Sequence, residues 1–192
     1  MRVVFFDFET GGVELHHPNI QLAAVAVDEH LKELAIFSER IIFNEEACDP
    51  QALAMNHYDR DLWKATALEP AVVFKRFAAF LRSFDDIEMV SQRTGRPYRV
   101  ARLAGHNAAT FDGPRLQAKF RSLNLFLPAS YQILDTLQRA LWYFHEHPSQ
   151  AKPASYQLGD LADYFGIETP EAHDALADCR TTIKLFKALT GA

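Results

Sequence analysis

Cysteines and long apolar runs are both scarce in this sequence. The 192-residue chain has two cysteines, Cys48 and Cys179, which form no CxxC pair. They predict no disulfide framework, so we expect a reduced, cytoplasmic protein. No apolar run approaches the roughly 20 residues that a membrane span needs. The N-terminal segment reaches an acid at Asp7, which leaves too short an apolar run for a secretory signal.

A positive net charge is missing as well. The chain carries 20 basic and 25 acidic residues, for a formal net charge of −5. This balance is not typical of proteins that coat long nucleic acids by bulk electrostatics. It is compatible with a nucleic-acid enzyme that has a small basic patch beside an acidic site whose charge a metal ion offsets. The positions of the carboxylates therefore decide between these classes.

The order of the strand and helix patterns predicts the fold class. The length fits one domain, 1–192, without internal repeats. Three strand patterns come first, with connections short enough to predict antiparallel neighbours. Strand and helix patterns then alternate, which predicts an α/β sheet covered by helices on both faces. The predicted strands are 2–7, 21–27, 34–43, 102–106 and 133–135, and the predicted helices begin at 50, 72, 113, 136, 156 and 174.

The segment 91–102 differs from the rest of the chain. It reads SQRTGRPYRVAR, with four arginines and no acid. Gly95 and Pro97 exclude an uninterrupted helix, so a solvated loop or hairpin is the favoured interpretation. The alternative is an arm that contacts phosphates, with Tyr98 stacking on a base.

Two acids close the first predicted strand, in the run Asp7-Phe8-Glu9. Because side chains alternate along a strand, Asp7 and Glu9 share one face. Adjacent acids at the end of an apolar strand are costly unless they are paired. The pair alone fits equally well a frayed strand end in water and a divalent cation held by both carboxylates.

Three further polar residues are ambiguous when each is taken alone. Asp112 precedes Gly113-Pro114 and a helical pattern, so the local sequence favours a helix cap, although a capping carboxylate can also point toward a sheet end. His173 and Asp178 are five apart and cannot share one helix face, and exposed positions are favoured for both. A loop histidine could still reach over a ligand that Asp178 holds.

Taken together, these residues resemble the three motifs of one enzyme family. The motifs are Asp7-x-Glu9-Thr10, then His106-Asn107 with Phe111-Asp112, then His173-x-Ala175-Leu176-x-Asp178. In this order they resemble the DEDDh, or DnaQ-like, 3′–5′ exonucleases, which include proofreading epsilon subunits and ribonuclease T. The resemblance implies a ribonuclease H-like fold with a five-stranded mixed sheet, flanked by helices. Its first three strands would be antiparallel, and the first strand would be central.

The resemblance also implies a reaction. It is the metal-dependent hydrolysis of nucleic acid from a free 3′ end, with single-stranded DNA as the expected substrate and nucleoside 5′-monophosphates as products. Two Mg²⁺ or Mn²⁺ ions would be held by Asp7, Glu9, Asp112 and Asp178, with Asp7 between them, and His173 would take the proton from the attacking water. The resemblance leaves a homodimer or a polymerase or repair partner open. An exoribonuclease, an oligonucleotide-degrading enzyme and a non-catalytic docking module are the alternatives.

Five further residues are candidate substrate contacts. Thr10 and Gly11 begin the loop after the first motif, where many relatives have two threonines and this chain has Thr10-Gly11-Gly12. Asn107 would support the site from behind, and His57 falls roughly where some relatives carry a substrate-contacting histidine. Arg115 could contact a backbone phosphate, although a solvated surface position is favoured for it.

Overall fold

The computed structural model describes residues 1–169 and 173–191, which form an α/β structure. The strands are β1 (Val3–Thr10), β2 (Asn19–Val27), β3 (Glu33–Arg40), β4 (Ile87–Val90), β5 (Pro97–Val100), β6 (Leu103–Gly105) and β7 (Leu134–Asp135). The helices are α1 (Pro50–Met55), α2 (Arg60–Thr66), α3 (Pro70–Arg82), α4 (Asp112–Ser122), α5 (Thr136–Glu146), α6 (Leu158–Tyr164) and α7 (Ala175–Thr190). None of the helices in this described part combines the length and the apolarity that a membrane crossing needs.

Five strands form a mixed sheet in the order β3-β2-β1-β6-β7. The dense β-branched and aromatic sequence of β1 places it at the centre. It pairs antiparallel with β2 and parallel with β6, and β2 pairs antiparallel with β3. The expected ribonuclease H-like architecture, with three antiparallel strands first, is confirmed.

Alternation along β1 divides the core between the two faces of the sheet. Phe6 and Phe8 pack with α3 and α4, whereas Phe5 packs with α7 beside Cys179. Because side chains two apart share a face, the face of Phe5 is also that of Asp7 and Glu9. The two acids are thereby directed toward α7 at the end of the central strand.

The arginine-rich segment lies in an antiparallel hairpin formed by β4 and β5. Its base lies at the start of β1, where the Val4 N–H donates to the Arg102 carbonyl (2.9 Å). Asp7 and Glu9 lie toward the other end of the same strand, roughly 10–20 Å away at about 3.3 Å per residue. Arg99 and Arg102 donate to the carbonyls of Asp85 and Gln132, so both have protein partners.

Gly105 is required where β6 ends. A Cβ at this position would lie 2.5 Å from the Ala108 Cβ and 3.0 Å from the Phe6 carbonyl oxygen.

We expect Gly105→Ala to reduce the free energy of unfolding by about 1–3 kcal/mol through overpacking. Chemical denaturation measures this loss. The control is Gly159→Ala in α6, where a Cβ meets no atom within 4 Å and stability should be unchanged or slightly higher. Equal effects of the two substitutions would contradict the packing described here.

Candidate active site

Three carboxylates from the two ends of the sequence converge beside the end of β1. Ligand oxygens of Asp7, Glu9 and Asp178 all lie within 4.8 Å of one another. The alternation of β1 supplies the first two, and the first turn of α7 supplies Asp178. Glu9 and Asp178 are far apart in the sequence and meet because α7 packs against β1 and β2.

Asp112 reaches the same strand from the other side. It is the first residue of α4 and is 3% exposed. Its Oδ1 accepts a hydrogen bond from the backbone N–H of Phe8 (3.2 Å), between Asp7 and Glu9. The helix-cap interpretation of Asp112 is wrong, because Phe111 occupies the cap position and no side chain caps this helix. The local sequence predicts that this carboxylate accepts from the N–H groups of its own helix. In the folded protein it accepts instead from a backbone N–H of β1.

Asp174 fixes the start of α7 and hence the position of Asp178. As the sequence predicts, Asp174 caps this helix, and its Oδ1 accepts from the N–H groups of Leu176 and Ala177 at 3.1 Å. Its Oδ2 accepts from Gln21 Nε2 (3.1 Å). Gln21 lies opposite Glu9 in the β1–β2 register. One cap residue therefore ties the helix to the strand pair that carries Glu9.

Burial and mutual repulsion hold these acids toward their neutral forms. Burial, and then the charges of Asp178, Asp174 and Asp112, raises the pKa of Glu9 to about 8. Burial raises the pKa of Asp112 to about 7 and that of Asp178 to about 6. Burial, followed by the charge of Asp112, raises the pKa of Asp7 well above its ordinary range. A nearby cation would favour the ionised forms of these acids.

One oxygen of the cluster has no partner at all. Glu9 Oε1 is buried and has no hydrogen-bond donor among the described residues. A buried carboxylate oxygen without a partner carries the full cost of its lost hydration. The carboxylates of Asp7, Glu9 and Asp178 are the ligand type that Mg²⁺ and Mn²⁺ prefer. The residues therefore fit a divalent metal ion.

Two adjoining clefts open onto the acids. The first, about 470 Å³, is lined by Asp7, Asp112 and Tyr156 among others. The second, about 560 Å³, is lined by Asp178 and His173. Gln157 and Leu158 line both, so the start of α6 separates the two openings. Neither residue is among the site residues that the sequence predicts, because neither carries a charge that could bind a metal ion.

His173 lies on the solvent side of the cluster. It is exposed, precedes α7 and has a φ of 66°. Burial raises the pKa of Asp178, and two features of His173 lower it in part. These are the charge of the imidazole and a backbone N–H within hydrogen-bonding reach of the carboxylate. The structure thus places His173 beside one of the four acids and in the second cleft.

The candidate substrate residues Thr10 and Gly11 are buried. Thr10 Oγ1 donates to the Gly12 carbonyl (2.9 Å), and the Thr10 carbonyl accepts from Asn56 Nδ2 (2.8 Å). A Cβ on Gly11 would overlap the Cys48 side chain. The two residues shape the loop from within, and neither lines the two clefts.

Asn107 and His57 occupy different surroundings. Asn107 lines the first cleft, and its N–H donates to Asp135 Oδ1 (3.0 Å), the residue that also caps α5. His57 is exposed with a φ of 51° and lines neither cleft, although its neighbour Asn56 is bonded to Thr10. Asp135 is a supporting residue that the strand-to-helix turn could have indicated.

The predicted solvated position of Arg115 is wrong. Arg115 is 3% exposed, and its guanidinium carbon lies 4.4 Å from the centre of the Phe111 ring. Its Nη atoms donate to backbone carbonyls of the loop after β1. Because these donors are already used, Arg115 does not present its charge to a phosphate. The partner carbonyls lie about a hundred residues earlier in the chain, beyond the reach of a local sequence pattern.

Comparison with solved structures places the fold beside exonuclease I of E. coli. The complex of that enzyme with a dT13 oligonucleotide is 20% identical, with a TM-score of 0.76, over 98% of this chain and 41% of that one. The zinc-bound form of its complex with single-stranded DNA is 19% identical, with a TM-score of 0.78, over 99% of this chain and 40% of that one. This chain therefore spans about two fifths of those proteins, and the likeness establishes the fold.

Comparison with family models gives the family. Residues 85–186, more than half of the chain, match the exonuclease model named for ribonuclease T. The search of curated proteins found no match. The family match confirms the resemblance to 3′–5′ exonucleases that the three motifs indicate. This chain belongs to the exonuclease family.

Proposed function

We propose that this protein is a metal-dependent 3′–5′ exonuclease that releases nucleoside 5′-monophosphates from single-stranded DNA. The observation that carries the proposal is the convergence of ligand oxygens of Asp7, Glu9 and Asp178 within 4.8 Å of one another. One oxygen of Glu9 is also buried without a hydrogen-bond donor among the described residues. A cluster with these raised pKa values is costly in a purely structural role. Phosphodiester hydrolysis by divalent cations is the chemistry that uses it.

Four acids would hold the cations. Asp7, Glu9 and Asp178 would bind one Mg²⁺ or Mn²⁺ ion, and Asp112, on the other side of Asp7, would contribute to a second. When bound, such ions activate water and neutralise charge on the leaving oxygen. The backbone bond from Phe8 keeps Asp112 directed at β1, so the acids are held in place before any ion enters.

The protein groups around the acids fit the remaining tasks. His173 is exposed in the cleft of Asp178, where an imidazole can accept the proton that the attacking water loses near neutral pH. The first cleft has apolar walls, including Phe111, Leu137 and Tyr156, against which a nucleobase can pack. We assign the terminal nucleotide to this cleft because it adjoins both Asp7 and Asp112.

Single-stranded DNA is the proposed substrate because similar structures of exonuclease I contain it. Those complexes hold dT13 and dA16 oligonucleotides. Carboxylates and metal ions act on the phosphate and do not read the sugar, so the choice of DNA over RNA depends on a contact to the 2′ position. The assay must therefore compare both polymers.

Digestion of end-labelled strands tests the proposed function. We expect stepwise loss from the 3′ end of single-stranded DNA with Mg²⁺ or Mn²⁺, none with chelator, and slower loss of RNA. Asp7→Asn should reduce the rate more than about 100-fold, since even supporting residues of metal sites contribute 10- to 100-fold. Glu88→Gln, on the exposed hairpin, is the matched control. Metal-independent cleavage would overturn the proposal. No cleavage of either polymer would also overturn it and would favour a docking module.

His173→Ala tests the proton acceptor. We expect kcat to fall by about 10²- to 10⁴-fold, because a general base contributes that much. The rise in melting temperature on adding Mn²⁺ should stay at the wild-type value, because the carboxylates are intact. Steady-state kinetics and thermal unfolding measure the two effects. A wild-type kcat would remove His173 from the mechanism.

Stability of the metal-free protein should depend on pH in a specific direction. Carboxyls with ordinary pKa values near 4 in the unfolded chain titrate in the folded protein at about 6 for Asp178, 7 for Asp112 and 8 for Glu9. The folded state therefore binds more protons in this window, and stability falls as pH rises from about 5 to about 9.

Thermal unfolding in chelator measures this fall. We expect Asp7→Asn to make the decline shallower and to raise the melting temperature at pH 8, by about 2–4 °C for each kcal/mol of repulsion removed. Glu88→Gln should keep the wild-type slope. A melting temperature that rises over the same pH range would show that the carboxylates are not held toward their neutral forms.

A further inference from the structure

Arg115 connects two elements that carry the acids. It lies one turn after Asp112 on α4, and its side chain crosses the Phe111 ring toward the loop between β1 and β2. Its Nη2 lies 3.1, 2.7 and 2.7 Å from the carbonyl oxygens of Gly12, Val13 and Glu14. Its Nη1 lies 3.3 Å from the carbonyl of His17. One buried guanidinium thus contacts four carbonyls of the loop.

The loop has little else to hold it against α4. Val13 and Leu15 are 77% and 59% exposed, so these apolar side chains do not pack the loop onto the body. Within the loop, the Gly11 N–H donates to the Pro18 carbonyl (2.8 Å) and closes its base. The contacts to Arg115 are therefore the main polar tether between the loop and the helix in the described structure.

The position of this loop matters for Glu9. The regular β1–β2 pairing ends at Glu9 and Gln21, and the register shifts between Glu9 and Thr10. Glu9 is thus the last regularly paired residue of β1 before the loop begins. On the other side of the site, Asp112 is held by a single hydrogen bond from Phe8. Beside the apolar packing of Phe6 and Phe8 against α4, two polar contacts, one at Phe8 and one at Arg115, join β1 and the loop after it to the first turn of α4.

We propose that Arg115 is a positioning residue that holds the end of β1, with Glu9, against the first turn of α4, with Asp112, so that both acids serve one metal centre. The inference rests on the proposed function and adds a residue to it. A lysine cannot replace this contact, because an ammonium is a point charge whereas the planar guanidinium reaches four carbonyls at once. Arg115 touches neither cleft that would hold the nucleotide.

Metal binding by Arg115→Lys tests the proposal. The variant should unfold cooperatively, yet its Kd for Mn²⁺ in calorimetry and the Mg²⁺ concentration for half-maximal rate should each rise about 10- to 100-fold. Arg121→Met, an exposed position on the same helix, is the control and should match the wild type. A variant that is less stable but binds Mn²⁺ like the wild type would limit Arg115 to a structural role. Failure of the wild type to bind Mn²⁺ would instead overturn the proposed function, and this inference with it.

A measurement on the wild type does not depend on whether the variant folds. Coupling between two equilibria is reciprocal. If the ordered position of the loop increases the affinity for Mn²⁺, then binding of Mn²⁺ must stabilise the loop in that position. We expect Mn²⁺ to slow hydrogen exchange of the amides in 11–17 severalfold, with no change in the β4–β5 turn at 91–96. Unchanged exchange in 11–17 on binding Mn²⁺ would overturn the inference.

Discussion

Repulsion among buried carboxylates at the end of the central strand is the interaction on which the rest of this structure depends. Glu9 and Asp112 are buried and Asp7 and Asp178 are half-buried. None of the ion pairs among the described residues involves these four acids. The apo protein meets this cost by keeping the acids partly protonated near neutral pH. A divalent cation would remove the same cost, so binding and stability are linked.

Backbone contacts hold the acids together against this repulsion. The Phe8 N–H holds Asp112, the Asp174 cap holds α7 and is itself bonded to Gln21, and Arg115 holds the loop that follows Glu9. Each contact joins elements about a hundred or more residues apart. The surrounding aromatic core packs the helices against both faces of the sheet, so that small movements of β1 relative to α4 or α7 are resisted.

Much of this arrangement could be predicted from the sequence, because it follows from local rules. The shared face of Asp7 and Glu9 follows from strand alternation, and the Asp174 cap follows from its position before a helical pattern. Local rules fail at Asp112. A carboxylate next to a helix start is expected to cap the helix, but Asp112 accepts a hydrogen bond from the Phe8 N–H of β1 instead. The sequence favours a solvated surface position for Arg115, and only the tertiary fold brings the loop carbonyls to it. The first strand also runs past its predicted end at residue 7, since pairing with β2 extends β1 to Thr10.

The position of a bound metal ion tests the account most directly. Crystals of the wild-type protein grown with Mn²⁺ can be measured at the manganese absorption edge, so that anomalous scattering locates the ion without reference to activity. The account predicts an anomalous peak about 2.0–2.4 Å from oxygens of Asp7, Glu9 and Asp178. A fully occupied Mn²⁺ site elsewhere, with the three carboxylates free of metal, would contradict it.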